Sequence, residues 1–282
     1  MPSRSLLLIL AVSACAPTAS STLPSPVDDP RANRDPINLL AVPSLEAHAQ
    51  SVLAELVAAL PADKRAKVAN VTLFHDNDAG DVNAYATCST DGQPMIAVSD
   101  GLLLIAANLA QSTATDERWH TQERHAYLDW MEVHATASPP DGFYPSAYRD
   151  DREKMVRQRE LFDEQLAFIL GHELAHHYLG HVACGSVAAS PFDGVPAFDQ
   201  ATELAADVAG TKNLLAAGAA RAAYAWTEDG ALLVLTAFHY RTPLTPKTLL
   251  FAFERTHPLP ALRMPVITTT ADLWRASGSL PI

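Results

Sequence analysis

The chain has 282 residues, with 32 acidic and 20 basic side chains, which gives a formal net charge of −12 at pH 7. Proteins whose main partner is nucleic acid or an anionic bilayer are expected to carry a basic patch, so this charge argues against both classes. The part of the chain after residue 43, about 240 residues, fits one domain.

Residues 1–14 have the features of a secretory signal peptide. Arg4 supplies a positive charge, and the apolar run from Leu6 to Val12 is too short to span a membrane as a helix. The four residues that end at Cys15 resemble a lipobox, which predicts cleavage before Cys15 and lipidation of its thiol. Such an anchor holds a protein on a membrane surface. We therefore expect a lipid-anchored protein of the cell envelope, on the outer membrane facing the periplasm if the source has two membranes.

Residues 15–43 are rich in Pro, Ser, Thr and Asp and show little hydrophobic periodicity, which predicts a flexible tether after the lipidated cysteine. The folded domain is predicted over residues 44–282. We expect Ser44 to cap a first helix over residues 45–60, where apolar residues recur at helical spacing. Pro61 ends that helix.

Three short strands are predicted after this helix, over residues 71–74, 83–88 and 95–99. A turn-rich link joins the second strand to the third. A charged interruption over residues 111–160 then separates the strands from the next motif, and we expect it to contain a helix around residues 119–134.

The stretch His172-Glu173-Leu174-Ala175-His176 lies in a segment with the apolar spacing of a helix. Residues four apart lie one turn above each other, so His172 and His176 can share one metal ion. Glu173 falls beside the ion, where it can accept a proton from a metal-activated water. This spacing is typical of zinc-dependent peptide hydrolysis.

A catalytic zinc site needs a third protein ligand and leaves a fourth position for water. The metzincin pattern requires Gly and His where this chain has Leu179 and Val182, so that pattern fails. The alternative is Glu203 on a later predicted helix, which carries Asp207 four residues further on. Glu203 would hold the metal, and Asp207 would accept the spare N–H of a ligand imidazole. Two acids on an Ala-rich helix are also what a solvated face contains.

Two further histidines, His177 and His181, lie four residues apart and could be mistaken for a second ligand pair. Rotation along the helix carries them off the face that holds His172 and His176. We therefore expect them to have structural roles.

Four segments, in order along the chain, resemble the gluzincin metallopeptidases of the CAAX-prenyl-protease-1 and HtpX type, in particular their soluble envelope members. The resemblance extends from about residue 70 to residue 265. The segments are Asn83-Ala-Tyr-Ala-Thr with residues 95–103, the His172 motif with its trailing Gly180-His181, Glu203-Leu-Ala-Ala-Asp207, and Thr256-His257-Pro258 with Arg263.

The resemblance implies an α+β, zincin-like domain in which one helix carries the two histidines, a second helix carries Glu203 and Asp207, and a small sheet binds substrate. It implies that a peptide or unfolded protein pairs with an edge strand by β-augmentation. That strand contains Asn83, Ala84, Tyr85 and Ala86. The resemblance also implies that His257 stabilises the oxyanion and that Arg263 pairs with an acid near the metal, such as Asp207.

These observations predict a zinc endopeptidase of the cell envelope, with one Zn²⁺ per chain held by His172, His176 and Glu203 and a role in protein quality control. The competing interpretation is a non-catalytic zinc-binding lipoprotein that acts as an assembly or chaperone factor. Glu173 separates the two, because a structural site has no use for a base and usually has four protein ligands.

Two cysteines remain after Cys15. Cys88 ends the predicted edge strand, and Cys184 lies three residues beyond His181. Disulfides persist outside the cytoplasm, so we hypothesise that the two pair and tie the substrate strand to the catalytic helix. Two buried free thiols are the alternative, because sequence does not give the separation of the Cα atoms.

Overall fold

A computed structural model describes the protein over residues 35–134, 136–184, 198–239, 257, 260–278 and 282. The predicted signal peptide, Cys15 and most of the predicted tether lie outside these residues. Thr256 and Pro258 of the fourth resembling segment lie outside them as well. Within the described ranges, no helix is long and apolar enough to cross a membrane.

The described residues form a mostly helical domain with one small sheet. The helices are α1 (Val42–Ala59), α2 (Ala62–Lys67), α3 (Asp100–Trp119), α4 (Glu123–His134), α5 (Ser146–Arg149), α6 (Arg152–Tyr178), α7 (Gln200–Ala219), α8 (Asp229–His239) and α9 (Pro260–Ser277). The strands are β1 (Thr72–Asp76), β2 (Ala84–Cys88) and β3 (Pro94–Ser99). The α+β prediction is confirmed.

The sheet has the order β1-β3-β2, so β2 lies at an edge as predicted. β2 runs antiparallel to β3, with Ala84 opposite Val98 and Cys88 opposite Pro94, whereas β1 runs parallel to β3. The link between β2 and β3 closes tightly because Gly92 adopts a φ of 76°, a conformation that glycine takes without steric cost. β3 leads directly into α3, whose first turn is capped by the hydroxyl of Ser99.

Helix α6 lies at the centre of the domain and packs against α1, α3, α7 and α8. The aspartate that precedes it, Asp151, caps its first turn by accepting a hydrogen bond from the backbone of Lys154. From Leu161 to Tyr178 every residue of the helix is buried. The apolar spacing predicts one buried side, but in the structure this half of the helix is covered on all sides.

Helices α6 and α7 contact each other at two glycines, Gly171 and Gly210. A Cβ atom added to Gly210 would lie 2.8 Å from the backbone nitrogen of His172 and 3.0 Å from the carbonyl carbon of Gly171. Only a residue without a side chain allows this approach. The contact brings the first turns of α7, which carry the acidic residues, next to the histidines of α6.

The packed domain begins earlier than composition predicts. Ile37 is fully buried, and the carboxylate of Asp35 accepts hydrogen bonds from the backbone of Ile37 and from the side chains of Gln158 and Arg159 on α6. Residues 35–41 are therefore part of the domain. The predicted tether over residues 15–43 extends too far, because the buried side chain of Ile37 and the multiply bonded carboxylate of Asp35 fix its end against the domain.

Helix α1 begins at Val42, and the predicted cap Ser44 lies inside it. Pro43 occupies the first turn, where its fixed φ suits the helix and its missing N–H is not needed. The cap prediction is therefore wrong.

The predicted helix around residues 119–134 is wrong at its start. α3 extends to Trp119, His120 ends it with a φ of 55°, and α4 begins at Glu123. Residues 111–119 thus complete α3, and residues 152–160 form the first turns of α6, so the charged interruption is shorter than predicted. The polar side chains hid the helix because Ser112 and Thr115 bond carbonyl groups one turn back and remain buried.

Candidate metal centre

Four side chains from three parts of the chain converge in the interior. His172 and His176 come from α6, Glu203 comes from the first turn of α7, and His257 precedes α9. One ligand atom from each lies within 4.8 Å of all the others, and all four residues are buried. Imidazole nitrogens and carboxylate oxygens are donor types that suit zinc.

The three predicted ligands lie close enough together that one zinc ion could bind all of them. Nε2 of His172 lies 3.2 Å from Nε2 of His176 and 3.3 Å from Oε2 of Glu203, and Oε1 of Glu203 lies 3.5 Å from Nε2 of His176. Zinc bonds of about 2.0–2.1 Å in tetrahedral geometry separate ligand atoms by about 3.3–3.4 Å. Oε1 of Glu203 is buried and has no hydrogen-bond partner among the described residues. Leaving a buried carboxylate oxygen without a partner is costly, so the donor set fits a cation.

A buried chain of charged groups orients His172. Nδ1 of its ring lies 2.9 Å from Oδ1 of Asp207. Arg263 donates two hydrogen bonds to the same carboxylate, from Nε to Oδ2 at 2.9 Å and from Nη2 to Oδ1 at 2.6 Å. Burial tends to raise the pKa of Asp207, but Arg263 and His172 hold it below its usual value. Asp207 is therefore ionised and accepts the Nδ1–H, which leaves the Nε2 lone pair of His172 for a metal. The structure thus brings Asp207, which the sequence predicts as a partner of a ligand, and Arg263, which the resemblance pairs with such an acid, next to His172.

The protonation of His172 follows from the same contacts. Burial and the nearby Arg263 lower the pKa of His172, but hydrogen bonds to Asp207 and Glu203 outweigh them and raise it to about 9 in the absence of a metal. Burial lowers the pKa of His176 to about 2, with help from His172. Without a metal, these contacts favour the protonated form of His172, and a bound cation would displace that proton.

Glu173 lies beside the cluster and connects it to the sheet. Its Oε2 accepts a hydrogen bond of 2.8 Å from the backbone N–H of Ala86 on β2, and its Oε1 has no hydrogen-bond partner among the described residues. Burial, together with the charge of Glu203, raises the pKa of Glu173 to about 7. A carboxylate with a pKa near neutrality and one oxygen free of hydrogen bonds is suited to accept a proton.

The predicted substrate strand borders this cluster. Ala84 and Ala86 are buried, Tyr85 is half-buried, and the N–H of Ala86 points to α6 rather than into the sheet. Asn83 differs, because its backbone N–H and carbonyl both bond Ser99. Of the four predicted residues, Ala86 is therefore the one whose backbone contacts Glu173, and Asn83 lies just before β2.

His257 lies closer to the metal ligands than an oxyanion role alone requires. Its Nδ1 is 2.6 Å from Oε2 of Glu203 and 3.3 Å from Nε2 of His172, and its Nε2 is 3.6 Å from Oε1 of Glu173. Burial, followed by the effect of nearby His172 and Arg263, lowers the pKa of His257 to about 4. Sequence reasoning missed the possibility of a fourth ligand here, because 85 residues separate His257 from His172.

The two histidines with expected structural roles have different contacts. Nε2 of His177 lies 2.9 Å from the carbonyl of Met95 and ties α6 to β3. His181, in contrast, places its Nδ1 3.0 Å from Nδ1 of the candidate ligand His176. Phe198 stacks on the same His176 ring, with the ring centres 4.1 Å apart.

A disulfide joins Cys88 at the end of β2 to Cys184, just beyond α6. The two Cα atoms lie 5.5 Å apart, within the range that a disulfide spans. The bond holds the edge strand against the segment that carries His181.

The profile of Peptidase family M48 matches residues 43–192, just over half of the chain. The matched part includes α1, the sheet and α6, and therefore contains His172, Glu173 and His176. Glu203 and His257 lie beyond it. No curated protein and no solved structure matches the chain.

Proposed function

The chain belongs to peptidase family M48, and we propose that it is a zinc-dependent endopeptidase of the cell envelope. Family membership supports a metallopeptidase with a peptide or protein substrate. The observation that carries the proposal is the position of Glu173, which is buried beside the ligand cluster and hydrogen-bonded to an edge strand. That position links a base, a metal centre and a surface for an extended chain.

In this proposal His172, His176 and Glu203 hold one Zn²⁺ per chain. When bound, zinc lowers the pKa of a water molecule to about 7 and polarises a carbonyl group. Asp207 and Arg263 keep the Nδ1–H of His172 on the side away from the ion. The family typically depends on zinc, which supports this ion over other divalent metals.

Glu173 would act as the general base. The hydrogen bond from Ala86 fixes Oε2, so Oε1 is the atom that would take a proton from the attacking water and pass it to the leaving amine. An extended peptide would pair with Ala84, Tyr85 and Ala86, and its backbone would then lie next to Glu173.

The proposed oxyanion role of His257 depends on its tautomer. With the hydrogen on Nδ1, neutral His257 donates to Glu203 and has only a lone pair on Nε2. Stabilising an oxyanion requires a hydrogen on Nε2, which His257 carries either as the other neutral tautomer, whose Nδ1 cannot donate to Glu203, or as the protonated imidazolium.

We propose that a lipid on Cys15 anchors the enzyme to the cell envelope. We propose protein quality control as its role there. The signal-like residues 1–14 and the lipobox support this location, and both lie outside the described residues. Cell fractionation tests the anchor. A Cys15→Ser variant should leave the membrane fraction, and a variant that still pellets with membranes would contradict the lipid anchor.

A non-catalytic zinc site is the second candidate, and His257 is the observation that favours it. With His257 the cluster offers four protein ligands, the number that structural zinc sites use. The buried Glu173 argues the other way, because a structural site gains nothing from a carboxylate with a free oxygen.

Digestion of an unfolded protein such as casein decides between the two candidates. The protein should cleave casein, lose this activity when a chelator removes the metal, and regain it when Zn²⁺ is restored. A zinc-loaded protein that leaves casein intact would favour the structural site.

A further inference from the structure

The two candidate ligand histidines of α6, His172 and His176, have different hydrogen-bond partners at Nδ1. Nδ1 of His172 faces the carboxylate of Asp207 at 2.9 Å, whereas Nδ1 of His176 faces another imidazole nitrogen, Nδ1 of His181, at 3.0 Å. A ligand imidazole needs an acceptor for its spare N–H, because that acceptor fixes the tautomer and the orientation of the ring. For His176, the structure supplies this acceptor from His181.

The end of α6 explains how His181 reaches this position. The backbone N–H of His181 donates to the carbonyl of His176, and the N–H of Gly180 donates to the carbonyl of His177. Gly180 has a φ of 83°. These three features define a Schellman motif, in which the second residue after the cap folds back over the third residue from the helix end. Here those residues are His181 and His176, so the capping turn itself places one imidazole on the other.

The direction of the hydrogen bond follows from the ligand atom. Nε2 of His176 faces Nε2 of His172 at 3.2 Å and Glu203 at 3.5 Å, so Nε2 is the atom that would bind a metal. A neutral imidazole that binds through Nε2 carries its hydrogen on Nδ1. His176 must then donate, and His181 must accept with the lone pair on its own Nδ1. The alternative tautomer of His176 would place a hydrogen where the ion should be.

Phe198 restrains the same ring in another direction. Its ring lies nearly parallel to that of His176, at an interplanar angle of 16°. Stacking limits tilting of the imidazole, whereas the hydrogen bond to His181 limits its rotation within the ring plane. The two contacts together hold Nε2 in place.

We propose that His181 is a positioning residue of the metal centre, placed by the capping turn at Gly180 to accept the Nδ1–H of His176. This inference rests on the proposed metal site and not on the proposed peptidase activity. It also assigns a role to Gly180, where an added Cβ atom would meet no other atom within 4 Å.

The affinity of the full chain for Zn²⁺, measured by competition with a chromophoric chelator, tests the inference. His181→Ala should weaken binding by about 10–100-fold, as the loss of a ligand's hydrogen-bond partner usually does. His181→Asn should bind nearly as well as the wild type, because the amide oxygen can occupy the place of Nδ1. Gly180→Ala should weaken binding without altering any side chain of the site, because alanine disfavours the positive φ.

Two controls separate this role from general effects on stability. His134→Ala removes an imidazole from α4 and should leave the Zn²⁺ affinity unchanged. Thermal unfolding of each metal-free variant shows whether the domain still folds, and the absorption spectrum of bound Co²⁺ reports changes in ligand geometry. His181→Ala should alter that spectrum, and His181→Asn should restore it.

Two results would overturn the inference. One is wild-type affinity and an unchanged Co²⁺ spectrum in His181→Ala. The other is an Asn variant as weak as the Ala variant, which would show that the acceptor is not what matters. Failure of the wild type to bind Zn²⁺ would instead refute the metal site itself, and with it the partner role of His181.

Discussion

Replacing Gly210 by alanine tests whether the close contact between α6 and α7 builds the metal centre. The new Cβ would lie 2.8 Å from the backbone nitrogen of His172, and ordinary van der Waals contact begins at 3.4 Å. The two atoms that the new Cβ would meet, the backbone nitrogen of His172 and the carbonyl carbon of Gly171, cannot rotate away. The helices must therefore separate by about 0.6 Å at this point. Overpacking of this kind costs about 1–3 kcal/mol of stability.

The same separation should weaken metal binding. Asp207 lies one turn before Gly210, and its Oδ1 is 2.9 Å from Nδ1 of His172. A displacement of about 0.6 Å would lengthen this contact to about 3.5 Å, beyond a good hydrogen bond. We expect Gly210→Ala to bind Zn²⁺ about 10–100-fold more weakly, as when a ligand loses its supporting partner.

Urea unfolding and Zn²⁺ competition measure the two effects, and Gly142→Ala is the matched control. Gly142 has a φ of 79°, and an added Cβ atom would meet nothing within 4 Å, so alanine should cost about 1–2 kcal/mol there through backbone strain alone. Its Zn²⁺ affinity should not change. If Gly210→Ala binds Zn²⁺ as tightly as the wild type, the helix contact does not position the ligands.

Three other predictions follow from the site and its surroundings. Glu203→Ala should lower zinc occupancy more than Asp207→Ala, because the first removes a ligand and the second removes only the partner of a ligand. Metal analysis measures both, and full occupancy in the Glu203 variant would mean that His257 is the third ligand instead. A lipid-free chain lacking Cys15, unfolded without reductant, should show no reactive thiol, and two labelled thiols would rule out the bond between Cys88 and Cys184. Reducing that bond should lower the free energy of unfolding by about 2–4 kcal/mol. Burial, partly offset by hydrogen bonds from Thr227, raises the pKa of Glu164 from 4.5 to about 7. The folded state therefore favours the neutral acid and loses stability as the pH rises from 4.5 to about 7. Glu164→Gln should therefore stabilise the metal-free chain at pH 8 on the order of 1–3 kcal/mol but hardly at pH 4.5, and equal effects at both pH values in urea unfolding would contradict this.

The part of the site that sequence could predict is the part set by helical spacing. His172 and His176 share one face because they are four residues apart, and Glu203 and Asp207 do so for the same reason. The spacing does not reveal that α6 and α7 meet at Gly210. That contact depends on how two distant helices pack, which no local pattern records.

Other features were harder to predict for different physical reasons. His257 joins the cluster from 85 residues away, so only the resemblance to a family pointed to it. Continued helical rotation would place His181 off the ligand face, but the chain leaves the helix at Gly180. The Gly-His pair at a helix end carried this signal, since a Schellman turn folds its second residue back.

Two boundary errors came from judging composition over long segments. Residues 35–43 end a stretch rich in Pro, Ser, Thr and Asp, although five of these nine residues are apolar, and residues 111–119 begin a charged stretch. In the structure, Asp35 and Ser112 satisfy their polar groups locally and are buried. Polar composition predicts exposure only when the side chains lack such partners.

The measurement that tests the central claim most directly is the activity of Glu173→Gln with its zinc content known. The amide keeps the shape of the side chain and can still accept the hydrogen bond from Ala86, but it cannot take a proton. We predict full zinc occupancy and a loss of casein cleavage of at least about 100-fold, the usual contribution of a general base. A zinc-loaded variant that cleaves casein at the wild-type rate would contradict the proposed function.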